Sequence, residues 1–359
     1  MELQKIIDNE DYMNIFKENN INVRKYSKLR LIILRTYPNH QYDYTTNPWI
    51  RYCRGAIINT ETNRVVCIPP LKSEQKKEVN INDYNENEYS FEPLIDGTMI
   101  NMFYHDDEWM ISTRSNIGAK NSWDGKVPFY KLFESVNGVE WYNQLKKDHC
   151  YSFVLHHKEN RIVSPINENS IFLVEMYDLS CNNIKRLNVK DFDTIDGITN
   201  NLLMNKDQSK HYLENENNFS VKGFTIKTDL ERIKWMNPNY EYVNSLKKNF
   251  NNKFLSYVAL RQEWKLSEYL KYFPEERYIY NLYRERFSLI KDELYQSYIK
   301  VNITKKITRK EVKYPLRPLV HELHQYYLKT KHKINMNYIN EYMQKIPGRR
   351  LLFIYNQMF

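Results

Sequence analysis

Apolar and polar residues alternate through RGAIINTETNRVVCIPP (54–70) on either side of a turn at 60–63, which predicts a β-hairpin. TMINMFYHDDEWMISTRS (98–115) repeats the pattern around a turn at 105–108. CYSFVLHHKENRIVSP (150–165), SIFLVEMYDL (170–179) and VKGFTIKTD (221–229) read as further strands, rich in β-branched and aromatic residues. Between them, 125–136 and DFDTIDGITNNLLM (191–204) carry helix-like spacing, while 205–220 is polar and reads as exposed. Beyond residue 250 the period changes to i, i+3/i+4. The segments 254–273 and 274–300 predict helices, the second with Tyr278, Leu282, Phe287, Ile290, Leu294 and Tyr298 on one stripe and Pro274 in its first turn. Two more amphipathic helices fall at 316–330 and 336–346, preceded by the basic segment KKITRKEVKYPLR (305–317). The expected organisation is α+β, with antiparallel sheets over 1–248 followed by an all-helical C-terminal domain over 249–359.

Composition narrows this picture. The 359 residues carry 53 Lys+Arg against 44 Asp+Glu, a net +9. Residues 1–250 hold 32 basic and 34 acidic side chains, and 251–359 hold 21 and 10, so the positive excess belongs to the helical third. Such localisation favours contact with phosphate over a merely solvated surface. Cys53, Cys67, Cys150 and Cys181 show no CxxC spacing, which suits a reducing compartment and argues against a disulfide scaffold or zinc ribbon. No apolar run approaches the roughly 18 residues of a membrane span, and the start MELQKIIDNEDYM lacks the pattern of a secretory signal. A protein of the cytoplasm, with no membrane contact, is expected.

The most informative stretch is FEPLIDGTMINMFYHDDEWMISTRSNIGAKN (91–121), taken with RGAIINTETNRVVCIPPLKS (54–73) before it and the strands after it. In this order the blocks resemble the covalent nucleotidyltransferase superfamily, and within it RNA ligases of the phage T4 RNA ligase 1 type and degenerate ligase-like proteins of large DNA viruses. The resemblance covers about 50–245 and implies a ligase-like nucleotidyltransferase domain. In such enzymes the lysine of a Lys-x-Asp-Gly motif attacks the α-phosphate of ATP. The matching run here is LIDG (94–97), so the nucleophile position holds Leu94, and leucine has no nucleophilic atom. Asp96 and Gly97 remain, as does NRIV (160–163). The glutamate of the strand before that run aligns with Val154, the Glu-Gly strand reads Lys222-Gly223, and the Lys-x-Lys strand keeps Lys234 but has Met236. Loss of carboxylates at 154 and 222 weakens a Mg²⁺ site, because that hard cation needs oxygen ligands.

By this resemblance the catalytic set is empty, with Leu94, Val154, Lys222 and Met236 at the lost positions. Arg54, Lys72, Asp96, Gly97, Arg114, Lys222, Lys227 and Lys234 are the candidates for nucleotide or phosphate binding, the cations facing one cleft. His156 and His157 are adjacent on a strand and point to opposite faces, so they are read as structural. The expected function is a pseudoenzyme that binds RNA, at phosphate-rich ends or structured elements, without a lysyl-adenylate and without a cofactor or metal. One alternative is an active ligase using another lysine, with Lys72 the nearest, for which ATP and Mg²⁺ would be needed. The other is a non-enzymatic adaptor in a viral nucleic-acid-processing complex, docking a protein through the helical domain. The viral resemblance extends the cytoplasmic expectation to a replication site in the host cytoplasm.

Overall fold

The structure is a computed structural model that describes residues 2–76, 78–123, 127–137, 141–180, 184–192, 195–201, 203–215 and 218–359. Two compact units divide the chain, Met1–Asn244 and Ser245–Phe359. The first opens with helices α1 (Glu2–Ile7) and α2 (Tyr12–Glu18), then strands β1 (Asn22–Tyr26), β2 (Leu31–Arg35), β3 (Arg54–Asn59) and β4 (Arg64–Cys67). There follow β5 (Glu74–Gln75), β6 (Ser90–Pro93), β7 (Thr98–His105), β8 (Glu108–Thr113) and β9 (Asn116–Ile117). Helix α3 (Phe129–Asn137) precedes β10 (His149–His156), β11 (Ser170–Asp178), β12 (Lys185–Leu187) and β13 (Ile198–Asn200). Helix α4 (Lys206–Asn215), β14 (Gly223–Lys227), β15 (Arg232–Met236) and helix α5 (Pro238–Leu246) complete the series.

These strands make three sheets. β1 to β4 form an antiparallel meander in chain order. The central sheet runs β12-β11-β10-β7-β8-β9, with β13 parallel to β11. A smaller sheet runs β5-β15-β14-β6, antiparallel except where the short β5 joins. Strand alternation gives each sheet a buried face. Ile32, Ile57, Cys53 and Cys67 pack with Leu3, Ile7 and Phe16 of the first two helices, and Phe129, Leu132 and Phe133 of α3 pack on Ile100, Phe153 and Leu173 of the central sheet. The architecture is α+β with mainly antiparallel sheets and a helical C-terminal unit, as expected. Cys53, Cys67 and Cys150 are free and buried, and Cys181 lies outside the described residues.

Several local expectations are corrected. Residues 191–204 do not form a helix: a 3-10 turn at Val189–Asp191 leads to Gly197, at φ +81°, and then to β13, with 193, 194 and 202 outside the described residues. Ile195 and Ile198 mimic helical spacing because a turn and a strand each deliver one apolar side chain to the same core. The polar 205–220 stretch contains α4, whose Asn205 Oδ1 accepts from Gln208 N at 2.7 Å and whose Ser209 is buried. The predicted helix at 125–136 begins only at Phe129, and 124–126 lie outside the described residues.

The helical unit contains α6 (Lys253–Gln262), α7 (Leu266–Tyr272), α8 (Arg277–Tyr298), α9 (Arg317–Thr330), α10 (Met336–Lys345) and α11 (Gly348–Met358). On α8, Phe287, Ile290, Leu294 and Tyr298 face inward as expected, but Tyr278 is 81% exposed and Tyr280 takes the buried position. Tyr280 is one heptad before Phe287, which keeps the stripe in phase. Among the described residues no helix is long and apolar enough to cross a membrane.

The 254–273 segment is two helices, not one. Lys265 N donates to Leu260 O at 2.9 Å and Trp264 N to Arg261 O at 3.2 Å, a Schellman end to α6. This geometry puts Trp264 at φ +60°, a left-handed position where glycine is favoured, while its ring is 85% exposed. Trp264→Gly is expected to raise unfolding stability by about 0.5–1 kcal/mol, because backbone strain is relieved and little burial is lost. A denaturant midpoint that falls in this variant would contradict the strain assignment.

Candidate functional site: a cationic face between two sheets

Register determines which side chains meet. In the small sheet Thr225 pairs with Glu92 and with Lys234, and Lys227 pairs with Ser90 and with Arg232. These residues share one face, while Phe91, Ile226 and Ile233 fill a core on the other. Across the central sheet, Glu175, Ser152, Asn101 and Ser112 form one row in register, all buried. Ion pairs join the two faces: Lys227 Nζ lies 2.8 Å from Glu92 and 2.8 Å from Glu175, and Glu175 also meets Arg186 at 2.6 Å. Burial would raise the Glu175 carboxyl, but Lys227, Arg186 and Arg232 outweigh it and hold it at about 2.

The linker from β6 to β7 carries Leu94, Asp96 and Gly97. Leu94 is half-buried, and its N–H donates to Gly223 O at 2.8 Å. Asp96 is buried. Its Oδ2 accepts from Val163 N (2.9 Å) and Ser164 N (3.0 Å), and its Oδ1 from Tyr240 OH (2.6 Å) and Lys222 Nζ (3.2 Å). Burial pushes this carboxyl up, yet Lys222 and the hydrogen bonds prevail and keep it below the usual carboxylate value. Burial and the neighbouring Asp96 carboxylate push the Tyr240 phenol well upward. A Cβ on Gly97 would stand 2.3 Å from Leu155 O and 2.7 Å from Val154 Cγ1, so only glycine fits, with the buried Val154 closing over it.

Four of the predicted phosphate contacts come together. Lys234 is partly buried and its amine falls to about 8 through burial and the charges of Arg232, Lys222 and Arg54. Burial, Arg114 and Arg232 lower the Arg54 guanidinium. Lys72 stands to one side, donating to Tyr44 OH at 2.6 Å, and Tyr44 in turn interacts electrostatically with Arg54. Three candidates are engaged in ion pairs or hydrogen bonds: Lys227 in its buried carboxylate pairs, Asp96 in its four hydrogen bonds, and Lys222 as one of the Asp96 partners. Met236 is partly buried and pairs with Gly223. His156 Nδ1 donates to Asp96 O at 2.8 Å, and His157 Nδ1 accepts from Glu159 N at 3.1 Å.

Sequence reading missed Arg232, Glu92, Glu175 and Tyr240. Arg232 was within reach, since it lies two residues before Lys234 on a strand and so on the same face. Its Nε is buried with no hydrogen-bond acceptor among the described residues. Glu92 and Glu175 carried no signal of their own, because their pairing depends on two sheets meeting.

No family model matches this chain. It is 24% identical over 187 residues to a protein of Autographa californica nuclear polyhedrosis virus assigned as a bifunctional polynucleotide kinase/RNA ligase. That match covers 47% of this chain and spans only 27% of the viral protein's length. Over that stretch the chain is similar to a protein assigned an RNA ligase activity. Among solved structures it is similar to an archaeal ATP-dependent RNA ligase in two forms. One has a TM-score of 0.46 at 11% identity, covering 79% of this chain and 77% of that one. The other has a TM-score of 0.45 at 8% identity, covering 68% and 64%.

Removing Lys227 leaves Glu92 buried without its cation and Glu175 with Arg186 as its remaining ion-pair partner. Lys227→Met should therefore destabilise the first unit by about 3–5 kcal/mol in urea unfolding. The depressed Glu175 carboxyl adds stability that is present above its unfolded value of about 4.3 and is lost as pH falls toward about 2. A variant as stable as the parent at neutral pH, with the same acid profile, would show that these pairs do not hold the sheets.

Proposed function

We propose that this RNA-ligase-like protein binds RNA through phosphate contacts, at ends or structured elements, without forming a lysyl-adenylate. The observation that supports it is the mutual grouping of Arg54, Lys222, Arg232 and Lys234, of which Lys222 reaches Asp96 on the linker that carries Leu94. The residues present do not fit the ATP–Mg²⁺ chemistry of active ligases. No amine stands at 94, the resemblance aligns Val154 and Lys222 with carboxylates of active ligases, and Glu92 and Glu175 are held in ion pairs. A cation-rich face with few free carboxylates favours phosphate oxygens without requiring a metal. The helical unit adds to this, with 23 basic and 10 acidic side chains over 245–359. A cytoplasmic site of action, in the manner of a viral RNA-processing protein, accompanies this reading, and docking of a protein partner by the helical unit is compatible with it.

The second reading, an active ligase with a relocated nucleophile, draws on one observation. Lys234 has an amine that is largely unprotonated above pH about 8, whereas Lys72 donates to Tyr44 OH. Incubation with α-labelled ATP and Mg²⁺, followed by denaturing electrophoresis, separates the two. No covalent label is expected; label that disappears in Lys234→Met would overturn the first reading.

Binding of 5′-phosphorylated and 5′-hydroxyl RNAs should weaken steeply with salt, as counterion release requires. Arg54→Ala combined with Lys234→Met should weaken it about tenfold or more. Salt-insensitive binding, or none, removes the proposal. Lys234 also gives a pH signature. An anion stabilises its protonated form, so affinity should be greatest below about pH 8 and fall as pH rises above it. Lys234→Met should flatten that dependence.

A further inference from the structure

The basic segment after α8 has a geometry that its composition alone does not convey. α8 runs into a π-helical turn, Ile299–Ile303, closed by Thr304 N donating to Ile299 O at 2.9 Å. Lys305 then takes a left-handed conformation at φ +52°, and Lys306 N returns to Lys300 O at 2.8 Å. Thr308 N and Oγ1 both donate to Glu311 Oε2 at 2.7 Å. Arg317 reaches back to Val312 O at 2.8 Å and Lys310 O at 2.5 Å, while Val312, Pro315 and Leu316 are buried as anchors. The backbone from 299 to 317 is thus tied down at both ends and in the middle.

The side chains do the opposite. Lys300, Lys305, Lys306, Arg309 and Lys310 are all exposed, and none has an ion-pair partner among the described residues. The single acid of the segment, Glu311, is occupied by Thr308. Tyr314 is 67% exposed at the end of the loop, with the Arg317 guanidinium 5.9 Å from its ring centroid.

We infer that the loop 300–314 is a preformed docking point for the RNA phosphate backbone, with Tyr314 as a platform for one base. This rests on the RNA-binding reading and assigns part of that binding to a surface within the helical unit. Fixing the backbone in advance removes ordering entropy from association, so the exposed cations act at full effect. An acidic protein is the less suitable partner, because lysine-rich surfaces are depleted from protein interface cores and an aromatic beside free cations matches single-stranded nucleic acid.

The test uses the full chain, a 5′-phosphorylated single-stranded RNA and a salt series. Reversal at four positions (Lys305→Glu, Lys306→Glu, Arg309→Glu, Lys310→Glu) should weaken binding at least about a hundredfold. It should also make the slope of log affinity against log salt shallower by about 3, at about 0.7 per phosphate contact. Tyr314→Ala should lose about tenfold in affinity with the slope unchanged. Thermal melting of both variants should match the parent, since these side chains are exposed. Reversal of four other exposed or partly exposed lysines, Lys329, Lys331, Lys333 and Lys345, is the control for net charge. An equal loss in that control would overturn the assignment to this loop, as would loop-dependent binding of polyglutamate as tight as that of RNA. RNA binding that survives loop reversal but is lost with Arg54→Ala and Lys234→Met would overturn the loop alone. Absence of salt-dependent RNA binding in the parent would overturn both.

Discussion

The first unit depends on a buried carboxylate. Asp96 leaves the small sheet on the linker to β7, where its Oδ2 holds the backbone of Val163 and Ser164 and its Oδ1 holds Tyr240 and Lys222. Those four partners come from the loop after β10, from α5 and from the residue preceding β14. A charge in this position is tolerable only because every donor is in place; loss of one would leave a buried anion under-compensated. Gly97 adds a steric condition, since the turn passes too close to Leu155 O for any side chain. The aspartate and glycine that resemble a nucleotide-transfer motif are thus explained by what they brace.

A second clamp, Lys227 between Glu92 and Glu175, ties the same two sheets from their facing sides. Together the clamps separate the charged groups into two classes. Lys227, Arg186, Asp96, Glu92 and Glu175 are neutralised in pairs and carry structure. Arg54, Arg232 and Lys234 crowd one another instead, and burial together with the charges of Arg232, Lys222 and Arg54 brings the Lys234 amine down to about 8. Like charges held together against their mutual repulsion favour an anion, because its arrival relieves the repulsion. The clamps hold the sheets so that this crowding persists.

Legibility in the sequence followed the range of the interactions. Hairpins at 54–70 and 98–115 were readable because alternation and turn are local, and α8 to α10 because 3.6-residue spacing is local too. β1 and β2 were not: LIIL (31–34) is buried throughout, so it shows no alternation. The break at Trp264 was hidden because a tryptophan occupies a backbone position normally marked by glycine. An ordered series of motifs singled out Arg54, Arg114, Lys222 and Lys234, which lie near one another in the fold. Lys227 was placed among the phosphate contacts for its charge, and only the meeting of two sheets reveals its carboxylate partners. Arg232 shares a face with Lys234 by simple alternation, so it needed no tertiary information.

Leu94 keeps its backbone bond to Gly223, so the linker enters the site with a leucine where the resembling enzymes carry lysine. A lysine there would add another positive charge to Arg54, Lys222, Arg232 and Lys234, with no carboxylate at 154 or 222 to offset it. Leucine at 94 leaves the linker without a cation of its own there, and Lys222 gives Asp96 an ion-pair partner at 3.2 Å. Lys222 thus braces Asp96 within the scaffold, while Arg54, Arg232 and Lys234 crowd one another beside it.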